Sequence, residues 1–156
     1  MPCSKRRFAM QPIYDIDTFR PSQGVGAYIG RARRTIVEAI DQELAPLQIS
    51  HAQWIVVMLL GDGAASTAAE LCKILIYDPG AMTRLLDRLE KKGVLRRART
   101  DNDRRAVHLE LTAEGRKLYP RILEALVEVF NRLLRGFSKS EVRQLEHSLK
   151  RMVANA

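Results

Sequence analysis

The chain has 156 residues, 46% of them apolar in type and 28% charged, with a formal charge of +8. That is enough for one domain with a sizeable core, and the basic balance points to a polyanionic partner. The longest apolar run, Trp54–Leu60, is far below the roughly 20 residues of a membrane span, and two cysteines, Cys3 and Cys72, build neither a disulfide framework nor a cysteine metal centre.

Met1–Arg7 is basic but no apolar stretch follows it, so the expected location is the cytoplasm. Residues 1–20 lack a sustained period yet hold Phe8, Ile13, Tyr14, Ile16 and Phe19, and are expected to form an arm that packs on a neighbouring surface. The rest, 21–156, reads as a single domain. From Ser22 to Leu44 the positions Val25, Ile29, Ala32, Ile36, Ile40 and Leu44 recur at three- and four-residue steps, which predicts a long amphipathic helix ended by Pro46. The glycines between Gly24 and Gly30 lack the preceding strand and the spacing of a dinucleotide loop, so no cofactor is expected.

Ser50 with Gln53, and Thr67 with Glu70, have the spacing of capping boxes. The first opens a helix through Trp54, Ile55, Val57, Met58 and Leu59, central to the core; the second opens a short helix through Leu71 and Leu75 that stops at Tyr77. Cys72, among Leu71, Ile74 and Leu75, reads as a small buried hydrophobe. Asp78 then offers an N-cap, Pro79 a first helical residue and Gly93 a stop. Between them Met82, Leu85, Leu86 and Leu89 line a core face, while Gly80, Arg84 and Arg88 follow at four-residue steps on another. Two short helices, the second cationic, make a helix-turn-helix.

After Gly93 the period falls to two. Val94–Ala98 and the alternating Val107, Leu109 and Leu111 predict a hairpin whose polar loop runs from Arg99 to Arg105. Nine Lys or Arg stand against four Asp or Glu between Arg84 and Arg105, on a helix-and-hairpin layout suited to a DNA groove. Thr112 caps a helix with apolar positions from Leu118 to Leu134, and Pro120 inside it predicts a kink or a late start. Ser138 with Glu141 opens a last helix through Val142, Leu145, Leu149, Met152 and Val153. The fold class is therefore mainly α with a small β-hairpin wing. A winged helix-turn-helix at 50–112 lies between long helices at 21–45 and 113–156, whose apolar surplus calls for a second copy of the chain.

Thr83–Gly93 together with Asp103–Gly115 carry a resemblance to the MarR (multiple antibiotic resistance regulator) family of dimeric winged-helix transcription regulators, and the order of elements from about Gly24 to Met152 is similar too. The resemblance implies a homodimer tied by its first and last helices. Two recognition helices would enter successive major grooves of an inverted-repeat operator in double-stranded DNA, with the wings along the minor grooves. It places the base-reading arginine at Arg84, near Pro79, Gly80, Ala81 and Thr83, and leaves Arg88 open between a phosphate contact and a structural ion pair. The wing pattern falls on Asp103, which would brace the loop, and Arg105, which would enter the minor groove. Arg97, Arg99 and Arg104 are read as phosphate or solvent contacts, and Thr67 opens a helix whose amides can meet a phosphate.

The same resemblance implies a repressor released by a small aromatic or phenolic effector, for which Tyr28, Arg31, His51 and Trp54 are candidate contacts; the plainer reading puts Trp54 in the core and His51 at a capping position. A cysteine-based redox sensor and a winged-helix protein-interaction module are the alternatives. Neither cysteine matches the position that the thiol-sensing branch uses. The three histidines lack ligand-spaced partners, so no metal is expected, and no hydrolase, metalloprotease or P-loop motif supports an enzyme.

Overall fold

Asp78 and Pro79 start the helix around which the other elements are arranged. The Asp78 carboxylate accepts from the Ala81 amide at 2.8 Å, Pro79 needs no partner, and Gly93 at φ +69° ends the run. In the computed structural model, which describes residues 12–100 and 103–156, the order is α1 (Val25–Leu44), a 3₁₀ turn (Ala45–Leu47), α2 (His51–Gly61), α3 (Ala68–Leu75), α4 (Pro79–Lys91), β1 (Leu95–Thr100), β2 (Asp103–Leu111), α5 (Ala113–Leu133) and α6 (Lys139–Ala154). The chain divides within α1 into two compact units, Met1–Thr35 and Ile36–Ala156. Phe8 and Cys3 lie outside the described residues.

In the first unit the described part of the arm, residues 12–20, folds onto the start of the helix that follows it. Tyr14 and Phe19 meet edge to face at 4.8 Å, the Val25 amide donates to the Tyr14 hydroxyl at 3.2 Å, and the Phe19 ring closes over Gly24. Ile13 and Ile16 remain exposed.

In the second unit Met82, Leu85, Leu86 and Leu89 of α4 are all buried, with Val56 and Val57 of α2, Leu71 of α3, Leu95 and Leu109 of the hairpin, and Ile122 and Val129 of α5. Each fully buried aliphatic side chain contributes about 1.5–3 kcal/mol relative to exposure. The alternation read on the second strand holds at the hairpin's base, where Leu109 and Leu111 are buried, and fades toward its tip, where Val107 is 43% exposed. Cys72 is half-buried against the core rather than enclosed, because α3 is a short helix of which only Leu71 is fully buried. No single helix among the described residues is long and apolar enough to cross a membrane.

One boundary differs from the sequence reading, one open alternative is decided, and one connection is new. The strands extend into the stretch read as loop, pairing Arg99 with Val107 and Thr100 with Asp103 across a bulge. The sequence there, Arg99 to Arg105, is wholly polar, so the apolar alternation that marks a strand is missing while the backbone ladder persists. Next, α5 begins at Ala113, directly after the cap read at Thr112, so Pro120 does not delay its start. The Thr112 hydroxyl accepts from the Gly115 amide at 3.1 Å, and the first turn packs so closely that a Cβ on Gly115 would lie 2.1 Å from the Val94 carbonyl oxygen, so cap and packing outweigh the bond that proline removes. Finally, the segment before α3 joins the ribbon: the Leu109 amide donates to the Ser66 carbonyl at 2.8 Å and Thr67 bridges His108.

Candidate nucleic-acid interface

Helices α3 and α4 meet through a three-residue turn, and the hairpin leaves the C-terminal end of α4. Thr67 heads α3 in a closed box: its hydroxyl accepts from the Glu70 amide at 3.2 Å and its own amide donates to the Glu70 carboxylate at 3.0 Å. The Ser66 amide and hydroxyl also donate to that carboxylate, and these bonds hold the Glu70 pKa below its usual range. Thr67 is thus occupied within its own cap, and Glu70 sets a negative charge beside it.

On α4 the exposed side carries the residues named from sequence. Pro79, Gly80, Thr83, Arg84 and Arg88 are exposed and Ala81 is half-buried. The Thr83 hydroxyl donates to the Pro79 carbonyl at 2.9 Å. Arg84 runs back along the helix, its Nη1 3.6 Å from where a Cβ on Gly80 would sit. Arg88 Nε donates to the Arg84 carbonyl at 3.1 Å, and neither arginine forms an ion pair among the described residues. Of the two readings of Arg88, the structural ion pair is not formed among the described residues.

The wing's basic residues divide. Arg96 pairs across the ribbon with Glu110 at 2.7 Å, while Arg97 is taken up by Asp87 at 2.7 Å and by Glu90, both on α4. Hydrogen bonding to Asp87 raises the Arg97 pKa above its already high ordinary value. Arg97 was read from sequence as a phosphate or solvent contact; carboxylates ten and seven residues upstream carry no local signature that pairs them with it. The backbone of Arg99, Asp103, Arg104 and Arg105 lies in the two strands, and the side chains of residues 99–106 are outside the described set.

The candidate effector residues form two local pairs. In the first unit the Arg31 guanidinium stacks on the Tyr28 ring at 4.5 Å. In the second, His51 and Trp54 meet edge to face at 5.4 Å, and His51 Nδ1 lies 3.7 Å from Asp41. Trp54 is half-buried against the core, and neither His51 Nδ1 nor Trp54 Nε1, both buried atoms, has a hydrogen-bond partner among the described residues. A hollow of about 370 Å³ lies elsewhere, at the α5–α6 turn, lined by Leu134, Phe137, Lys139 and Arg143 among others. No cluster of three or more metal-binding side chains occurs among the described residues.

The sequence also gave no sign of Ile76. It sits in the helix-turn-helix turn at φ +49°, 94% exposed. A β-branched residue in that conformation is a rarity that only the backbone reveals.

A helix-turn-helix whose second helix is cationic, flanked by a basic two-stranded ribbon, defines a winged-helix DNA-binding protein. The model described as MarR family matches residues 47–106. The multiple antibiotic resistance protein MarR of Escherichia coli strain K12 is 31% identical over 138 residues, 88% of this chain and 96% of that one. The homoprotocatechuate degradative operon repressor of Escherichia coli is 28% identical over 68% of this chain and 72% of its own. Among solved structures, a variant of Escherichia coli MarR complexed with operator DNA matches with TM-score 0.73 and 32% identity, covering 81% of this chain and 91% of that one. The chain belongs to the MarR family, and it is a DNA-binding transcription regulator.

Proposed function

We propose that the chain acts as a homodimeric repressor that reads an inverted-repeat operator through Arg84 and is released by a small aromatic acid or phenol. The observation that carries the DNA part is the exposed face of α4, where Arg84 and Arg88 stand without carboxylate partners among the described residues. A guanidinium there can donate twice to guanine O6 and N7, and Arg105 at the wing is the proposed minor-groove cation. Arg99 and Arg104 are proposed phosphate contacts, with Asp103 bracing the wing. Repression is the role printed in the name of the homoprotocatechuate relative, and it is carried over as part of this proposal.

For the effector, the unpartnered His51 Nδ1 and Trp54 Nε1 supply the motive, since a buried polar atom without a partner costs about 1–3 kcal/mol and a ligand oxygen would satisfy it. Tyr28 and Arg31 are separate candidates on the first unit. The arm and the helices at 21–45 and 113–156 are proposed to hold the dimer together.

Selection of bound duplexes from a random library by the purified protein, at two salt concentrations, tests the DNA reading. An inverted repeat with half-sites about one helical turn apart is expected; recovery of single, unpaired half-sites would remove the dimeric operator. Titrating aromatic acids into the resulting complex then tests release, and His51→Ala and Trp54→Phe should blunt it.

A further inference from the structure

We propose that Arg97 is a positioning residue of the DNA-reading surface: it fixes the wing's first strand to α4 through Asp87 and Glu90, and offsets part of the negative charge those two carboxylates bring to the groove-facing helix, without itself touching DNA. The proposal rests on α4 being that helix.

Three hydrogen bonds make the tie. Arg97 Nη2 donates to Asp87 Oδ1 at 2.7 Å, Nη1 donates to Glu90 Oε2, and the Arg97 backbone amide donates to Glu90 Oε1 at 3.1 Å. Glu90 therefore grips both the main chain and the side chain of β1, one turn of helix beyond Asp87. The Arg97 side chain is 31% exposed, against 66% for Arg96 one residue earlier, which pairs only across the ribbon. A planar fork can reach two carboxylates at once, whereas a lysine ammonium presents one point charge.

The charge arrangement gives the tie its purpose. Asp87 stands next to Arg88 and three residues after Arg84, on the helix assigned to a phosphate-lined groove. Left alone, Asp87 and Glu90 would repel the backbone that Arg84 and Arg88 attract. With Arg97 between them one of the two negative charges is offset, and the wing's direction is set by the same bonds. The arginines around α4 divide the work: Arg84 and Arg88 are free to face DNA, and Arg97 is committed to protein.

The test uses the full chain on a duplex recovered by selection and on a scrambled duplex, over a series of salt concentrations. Arg97→Met and Arg97→Lys should both lose about fivefold in discrimination between the duplexes, the effect of a partly exposed network, while the slope of log affinity against log salt stays at the wild-type value. Asp87→Asn/Glu90→Gln, which removes both negative charges and weakens the tie but keeps Arg97, should lose discrimination equally and bind more tightly overall. This double variant decides the matter if either Arg97 variant proves unfolded by circular dichroism. A slope shallower by about 0.9 in Arg97→Met, restored in Arg97→Lys with discrimination intact, would make Arg97 a phosphate contact and overturn the proposal. Unchanged behaviour in all three variants would overturn it as well. Arg84→Ala checks the underlying assignment separately: retained discrimination there removes α4 as the reading helix.

Discussion

Ile76 is held at φ +49° with its side chain almost wholly in water. A residue with a Cβ in that region costs about 1–2 kcal/mol, and glycine avoids the clash at the expense of unfolded-state entropy. Ile76→Gly should therefore raise stability by about 0.5–1 kcal/mol in urea unfolding; a loss instead would show that the exposed side chain makes a contact in solution. Arg84 presents the opposite case, a residue with no evident role in stability. Arg84→Ala should leave the unfolding midpoint unchanged and cost about 1–3 kcal/mol of discrimination between operator and scrambled duplex, measured by binding isotherms. The two residues also mark what sequence can reveal. The exposed position of Arg84 was legible because its four-residue spacing from Gly80 and Arg88 separates it from the buried Met82, Leu85, Leu86 and Leu89. The strain at Ile76 and the commitment of Arg97 to Asp87 and Glu90 depend on backbone angles and on how the strand turns back over the helix, and neither has a local pattern.

Helix starts depend on short-range chemistry, which is why Thr67, Asp78, Thr112 and Ser138 could be placed from sequence as caps, each now seen accepting from an amide three residues on. Strand ends at the tip of the ribbon were less legible, since Arg99–Arg105 is polar whichever way it faces. The rung from Ser66 to Leu109 joins residues 43 positions apart and was invisible for that reason. The caps lead to a pH dependence. Glu70 and Glu141 accept from the amides and hydroxyls of Ser66 and Ser138, bonds that hold both carboxyls below their ordinary pKa. A group depressed in the folded state stabilises fully above its unfolded value, and that contribution fades as pH falls through the folded one. Thermal unfolding should thus show stability falling as pH drops below about 4.3, the ordinary glutamate value. Glu70→Gln/Glu141→Gln should be less stable at neutral pH and lose less on acidification. Parallel pH curves for the two proteins would mean that neither box matters to the stability of the fold.

The described second unit leaves one element without a core of its own. Not one residue of α6 is buried, yet Leu145, Leu149, Met152 and Val153 are spaced as one apolar stripe and all are at least 40% exposed. On α5, Leu123, Val127 and Phe130 are likewise exposed while Ile122 and Val129 face inward. A helix that buries so little among the described residues gains little from folding against them, and its stripe fits the second copy proposed above, which the surplus of apolar helices in the sequence called for. Leu149→Asp/Met152→Asp should therefore convert a dimer to a monomer in sedimentation equilibrium, with the secondary structure of the winged lobe retained. The DNA consequence follows from linkage of two half-sites. A dimer engages the second half-site intramolecularly, an advantage of about 10²–10⁴ over independent binding when the geometry fits. The monomeric variant should lose affinity on that scale for the full inverted repeat and almost none for an isolated half-site. Wild-type protein sedimenting as a monomer at micromolar concentration, or a double variant that stays dimeric, would instead assign the α6 stripe to a different contact and leave the two-fold operator without its structural basis.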